Sequence, residues 1–208
     1  MENDVKEFLS ELLKQLKSID YIKPEDIPNI DLYMDQVTTF MDEQLAASKR
    51  YESDKILTKT MINNYAKNNL LPSPDKKKYS KEHVLTLLFI YYFKNILSIN
   101  DIRSILNPLT EKYFGSDDGF TMQDVYTEVF SLEAGESQKL LKDLGKKYKI
   151  AGETFEDFPD EDQKFLHTFS FICMLSFDVY IKKMLIERMI DNLNEEKEAS
   201  SHKKTGSN

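Results

Sequence analysis

The run from Lys81 to about Leu97 constrains this chain more than any other feature. Val84, Leu85, Leu87, Leu88, Phe89, Ile90, Tyr91, Tyr92, Phe93, Ile96 and Leu97 leave it no continuous polar face. At about 100° per residue these side chains point in every direction around a helix. A helix that is apolar all round has to be covered on all sides. The remaining elements are therefore expected to wrap around this one, each lending it an apolar stripe.

The pattern supplies such stripes. Val5, Phe8, Leu9, Leu12, Leu13 and Leu16 make residues 3–18 an amphipathic helix. Pro24 and Pro28 bias the residues before them away from the α region, so 21–30 reads as a connector. A helix follows from about Asp31 to Leu45 with Val37, Phe40, Met41 and Leu45 on one face. Thr58 is placed to cap a short helix carrying Met61, Ile62 and Tyr65, and Asn69 suits a left-handed C-terminal cap. Residues 70–79 read as a turn or small wing, and Ser80 caps the apolar helix. Ser98 with Asp101 resembles a capping box for a further helix, Pro108 and Gly115 to Gly119 mark a break, and Thr121 opens the next helix. A long last helix is expected over about 161–193, and 195–208, almost wholly polar, is expected to be a disordered tail. With only 6 Gly and 6 Pro in 208 residues, the expected class is all-α. The expected divisions are 1–30, 31–110, 111–194 and 195–208.

Charge and motif content remove most enzyme classes. The chain carries 28 basic and 36 acidic residues, a net charge of -8. Its balance is -6 over 1–49, +5 over 50–110 and -7 over 111–208, so the middle is the one basic segment. The glycines form neither a dinucleotide fingerprint nor a phosphate loop, and no serine sits in a nucleophile elbow. A calcium loop counted back from Gly119 would need carboxylates at Phe114 and Val125. His83, His167 and His202 are scattered, and the single cysteine, Cys173, lies within an apolar helix, so no metal ligand set or thiol nucleophile is expected. No cofactor, no catalytic residue and no membrane span are expected. With neither a disulfide framework nor a signal-like apolar run, the expected compartment is the cytoplasm.

Leu57 to Leu106 combines a cap, a short polar helix, a Leu-Leu-Pro turn, a basic turn ending in Tyr-Ser, a long apolar helix and a Ser-x-x-Asp helix. The stretches Thr58 to Pro72, Tyr79-Ser80 and Leu97 to Leu106 together resemble the winged helix-turn-helix of the MerR-type transcription regulators. The resemblance implies a recognition helix over Thr58–Lys67 and a basic wing at Lys76–Tyr79. The whole chain also resembles the bacterial family filed as domain of unknown function 1836, which shares the Leu-Leu-Pro-x-Pro turn and the lysine run and brings no activity with it.

Physical chemistry points the same way. Short polar side chains reach base edges and flanking cations meet phosphates, and Thr58, Lys59, Thr60, Asn63, Asn64, Tyr65 and Lys67 provide both. Lys76, Lys77, Lys78 and Tyr79 offer three ammonium groups on a projecting turn. The expectation is a non-enzymatic, DNA-binding transcription regulator acting on double-stranded DNA, with the 161–193 helix available for a homodimer. The alternative is a protein-interaction or scaffold module that keeps the fold, in line with the acidic segments on either side.

Overall fold

The computed structural model describes residues 22–116 and 119–205. The amphipathic segment at 3–18 lies outside them. Among the described residues the chain is mostly helical, with one two-stranded sheet. It forms two compact units, which among the described residues comprise 22–130 with 185–205, and 131–184.

In the larger unit a 3-10 turn at Pro24–Asp26 leads to strand β1 (Leu32–Tyr33) and helix α1 (Met34–Gln44). Helix α2 (Lys59–Lys67), strand β2 (Lys78–Tyr79), α3 (Lys81–Phe93), α4 (Ile99–Tyr113) and α5 (Met122–Ser131) follow. The helix expected from Asp31 starts late because its first residues are used in the sheet: Leu32 pairs with Tyr79 and Tyr33 with Lys78, antiparallel. Every residue of α3 from His83 to Tyr91 is buried, and Val84, Leu85, Leu87, Leu88 and Ile90 are wholly so. Each of these aliphatic side chains contributes about 1.5–3 kcal/mol by leaving water, so α3 is the axis on which the unit is built. Ile62 of α2, Met41 of α1, Leu106 of α4 and Tyr126 of α5 join it in one core.

The capping signals act where the sequence puts them. Thr58 Oγ1 accepts from the Met61 amide at 3.2 Å. Ser98 and Asp101 exchange bonds at both ends of their box, and Thr121 does the same with Asp124. The backbone and side chain of Thr121 hold the Asp124 carboxyl below its usual range. At α3 the partner of Ser80 is His83, whose Nδ1 accepts the Ser80 amide at 3.0 Å.

Three further boundaries differ from expectation. The apolar helix ends at Phe93 instead of Leu97, because the Ile96 and Leu97 amides both turn back to the Phe93 carbonyl at 2.9 Å before Ser98 starts α4. Pro108 does not break α4. A proline removes the amide that would bond the carbonyl four residues earlier, here that of Ser104, and Lys197 Nζ donates to that oxygen at 2.8 Å. Finally, α7 (Asp160–Thr205) continues to Thr205 in the segment 195–208 expected to be a disordered tail, whose last three residues lie outside those described. Its Glu, Lys and Ala residues are good helix formers that extend an existing helix without a new nucleus.

The smaller unit contains α6 (Glu133–Gly152) and the part of α7 up to 184. Ala151 and Phe171 are buried between them, and Tyr148 meets Phe171 edge-on at 5.3 Å. His167 Nε2 donates to the Thr154 carbonyl at 2.8 Å, fixing the turn between the helices. Lys147 bonds both Asp143 and Asp178, and these two carboxylates hold its ammonium pKa above the usual value.

Candidate nucleic-acid interface

Helix α2 divides its residues cleanly between core and solvent. Ile62 and Tyr65 are buried, while Lys59, Thr60, Asn63, Asn64 and Lys67 are exposed. At about 100° per residue those five fall within an arc of about 140°. They present two ammonium groups, a hydroxyl and two carboxamides on one face, and a carboxamide can pair with an adenine edge. Thr58 is half-buried and is occupied in capping the helix.

The turn after α2 is set by its backbone. Asn69 adopts φ +55° and ends the helix, as its side chain allows. Leu70 and Leu71 then drop into the core. Asp75 to Lys78 forms a tight turn closed by the Lys78 amide on the Asp75 carbonyl at 2.7 Å, with Lys76 at φ +46° and Lys77 at φ +66°. Two left-handed residues in succession match the two-residue hairpin turn that normally takes Asn-Gly. Both lysines are exposed at its tip.

Contacts of high sequence separation join the two parts. Lys78 lies over the Tyr33 ring, 5.5 Å from its centroid. Lys59 forms an ion pair with Asp35. Tyr33 and Asp35 sit at the junction of β1 and α1, so this junction brings the start of α2 and the basic turn together. Neither residue stood out in the sequence, since nothing local ties 33 or 35 to 59 or 78. An open groove of about 400 Å³ beside the α2 N-terminus mixes signs, with Asp42 and Glu43 opposite Lys55 and Lys59. Lys49 bonds Asp42 at 2.7 Å and lowers its carboxyl pKa.

Two of the residues expected at the interface are elsewhere. Tyr65 is 7% exposed and Tyr79 3% exposed, and both belong to the core cluster. Burial raises the pKa of each phenol. Their apolar rings are worth more in the core than in water, which spacing alone does not reveal. The exposed set is therefore Lys59, Thr60, Asn63, Asn64, Lys67, Lys76 and Lys77, with Lys78 half-buried and over the Tyr33 ring.

Among the described residues no group of three or more His, Cys, Asp and Glu side chains is placed to hold a metal ion. Nor, among them, is any helix long and apolar enough to cross a membrane. The class these features define is a helical domain built around one buried helix with a polar, basic face beside a tight turn. The chain belongs to the family described as domain of unknown function 1836, whose pattern matches residues 22–129. That match falls within the larger unit and ends one residue short of its first segment's limit at Phe130. No curated protein and no solved structure matches the chain.

Proposed function

We propose that the larger unit is a MerR-like winged helix-turn-helix that binds double-stranded DNA and serves in transcription regulation, with α2 entering the major groove and Lys76 to Lys78 meeting phosphate. The observation that carries this is the composition of the exposed α2 face: every outward position from Lys59 to Lys67 is a cation, a hydroxyl or a carboxamide. A helix face of that kind can both position on the backbone and read base edges. The strained turn adds support. A non-glycine residue in the left-handed region costs about 1–2 kcal/mol, and a chain that keeps lysine at both such positions uses the side chains there. Catalysis plays no part in this reading.

A second reading has one observation in its favour. Asp35 already occupies Lys59, and a domain that docks on another protein would keep such a pair at its rim. The test is fluorescence anisotropy of the full chain with labelled duplex DNA over a salt series, repeated with Lys76, Lys77 and Lys78 changed to Glu. DNA binding requires a log-log salt slope of about -0.9 for each phosphate neutralised, and loss of binding in the triple variant. No binding at low salt would refute it and leave the protein-interaction module standing.

A further inference from the structure

The connection from Leu45 to Thr58 is long for one that joins two helices of the same unit. Loops of more than about 12–15 residues are usually either disordered or functional, and this one is fastened at both ends. At its start Ser48 Oγ donates to the Leu45 carbonyl at 2.7 Å and shares a bond of 2.5 Å with the Tyr91 hydroxyl of α3. At its finish Ile56 and Leu57 are buried, and Lys94 Nζ, which stands over the Tyr91 ring, donates to the Ile56 carbonyl at 2.6 Å. The Asp42 carboxylate of α1 ties the two ends together: Lys49 bonds it at 2.7 Å, the Ile56 amide donates to it as well, and both lower its pKa.

These bonds hold out a tip from Arg50 to Lys55. It is closed by a reciprocal pair, the Tyr51 amide on Asp54 Oδ2 and the Asp54 amide on the Tyr51 carbonyl, both at 3.0 Å. Arg50, Tyr51, Glu52 and Lys55 are exposed, and the Arg50 guanidinium lies over the Tyr51 ring, 5.2 Å from its centroid. Tyr51, at 59% exposure, gives little to the core; its ring supports the guanidinium. A planar fork held in this way is pre-organised for two oxygens of one phosphate. Lys55 lines the same groove as Thr58 and Lys59 at the first turn of α2. A recognition helix whose N-terminal residues enter the major groove brings the segment before them close to the flanking backbone. Asp54 is used within the turn, which leaves Glu52 as the exposed acid between two exposed cations.

We propose that the Arg50–Lys55 tip is a further contact site for the phosphate backbone of duplex DNA, with the Arg50 guanidinium and the Lys55 ammonium each meeting one phosphate beside the groove that α2 enters. This site rests on the DNA reading of α2 and adds to it an element that no motif in the sequence marks.

The test is fluorescence anisotropy of the full chain with labelled duplex DNA over a salt series in Arg50→Gln, in Lys55→Gln and, as a control on an exposed lysine of the smaller unit, in Lys164→Gln. Each of the first two is expected to make the log-log salt slope shallower by about 0.9, which is about eightfold in affinity for every tenfold change in salt. Lys164→Gln is expected to leave the slope as it is. The natural sequence has no Trp, so Tyr51→Trp puts a single indole at the tip, where it still supports the guanidinium. Its emission is expected to change when unlabelled duplex is added. Slopes unchanged in both Arg50→Gln and Lys55→Gln, an equal loss in Lys164→Gln, or an indole indifferent to saturating duplex would overturn the proposal, and loss of binding on changing Lys76, Lys77 and Lys78 to Glu would at the same time keep the DNA reading in place. No binding by the natural sequence at low salt would refute both.

Discussion

The Asp75–Lys78 turn offers a perturbation that should move stability and binding in opposite directions. Lys76 and Lys77 sit at φ +46° and +66° with their side chains in solvent. Replacing Lys76 by Asn and Lys77 by Gly gives the turn the residues its backbone favours. Relief of the left-handed cost, about 1–2 kcal/mol per residue, is partly offset by the greater freedom of an unfolded glycine, about 0.5–1 kcal/mol. The net expectation is a gain of about 1 kcal/mol for the double variant. In a domain of this size that raises Tm by about 2–4 °C. The same change deletes two ammonium groups, so the salt slope of DNA binding should become shallower by about 1.8, at about 0.9 per phosphate. Thermal melts followed by circular dichroism and anisotropy at four salt concentrations read the two effects separately. An unchanged or lower Tm would refute the strain argument. An unchanged salt slope would make the lysines a solubilising tip.

Three further outcomes follow from single contacts. Asp35→Asn frees Lys59; removing a charge about 6 Å from a phosphate is worth about 0.7 kcal/mol in water, so duplex DNA should bind about threefold tighter with a steeper salt slope. Asp157→Asn, the same change of net charge in the smaller unit, should do neither. Pro108→Ala restores an amide to the Ser104 carbonyl and should stabilise the larger unit by about 1–2 kcal/mol in urea melts. Lys197→Ala should then cost nothing, where in the natural sequence it costs about 0.5 kcal/mol; equal costs in both backgrounds would disprove the link. His83 is held neutral by desolvation, which outweighs the opposing pull of the Ser73 and Pro72 backbone and the Asp31 charge. Its folded pKa lies below the usual 6.5, so between the two values the unfolded chain binds the extra proton and stability falls as pH drops below about 6.5. Protonation at Nδ1 also ends its acceptance of the Ser80 amide. Urea midpoints at pH 7.5 and 5.5 should therefore differ more in the natural sequence than in His83→Gln, whose carboxamide can accept the same bond.

Local chemistry in the sequence determined the helices and their caps. Thr58, Ser98 and Thr121 each act on an amide three residues on, an interaction that needs no distant partner. The all-round apolar pattern of α3 likewise committed the chain to a central helix, because a helix with no polar side has nowhere else to go. The polar face of α2 was legible too, since five of its nine residues can only face water at helical spacing.

Only the tertiary structure decided which residues leave that surface and which join it. Tyr65 and Tyr79 each carry a phenol ring, and burial in the core cluster, not their place in a motif, draws them inward. Tyr33 and Asp35 reach the exposed α2 face and the basic turn because β1 pairs with β2 and α1 lies against α2. Pro108 is tolerated within α4 because a lysine far along the chain takes up the carbonyl it leaves unbonded. In each case the deciding energy comes from groups distant in sequence, and a pattern read over a few turns of helix does not contain them.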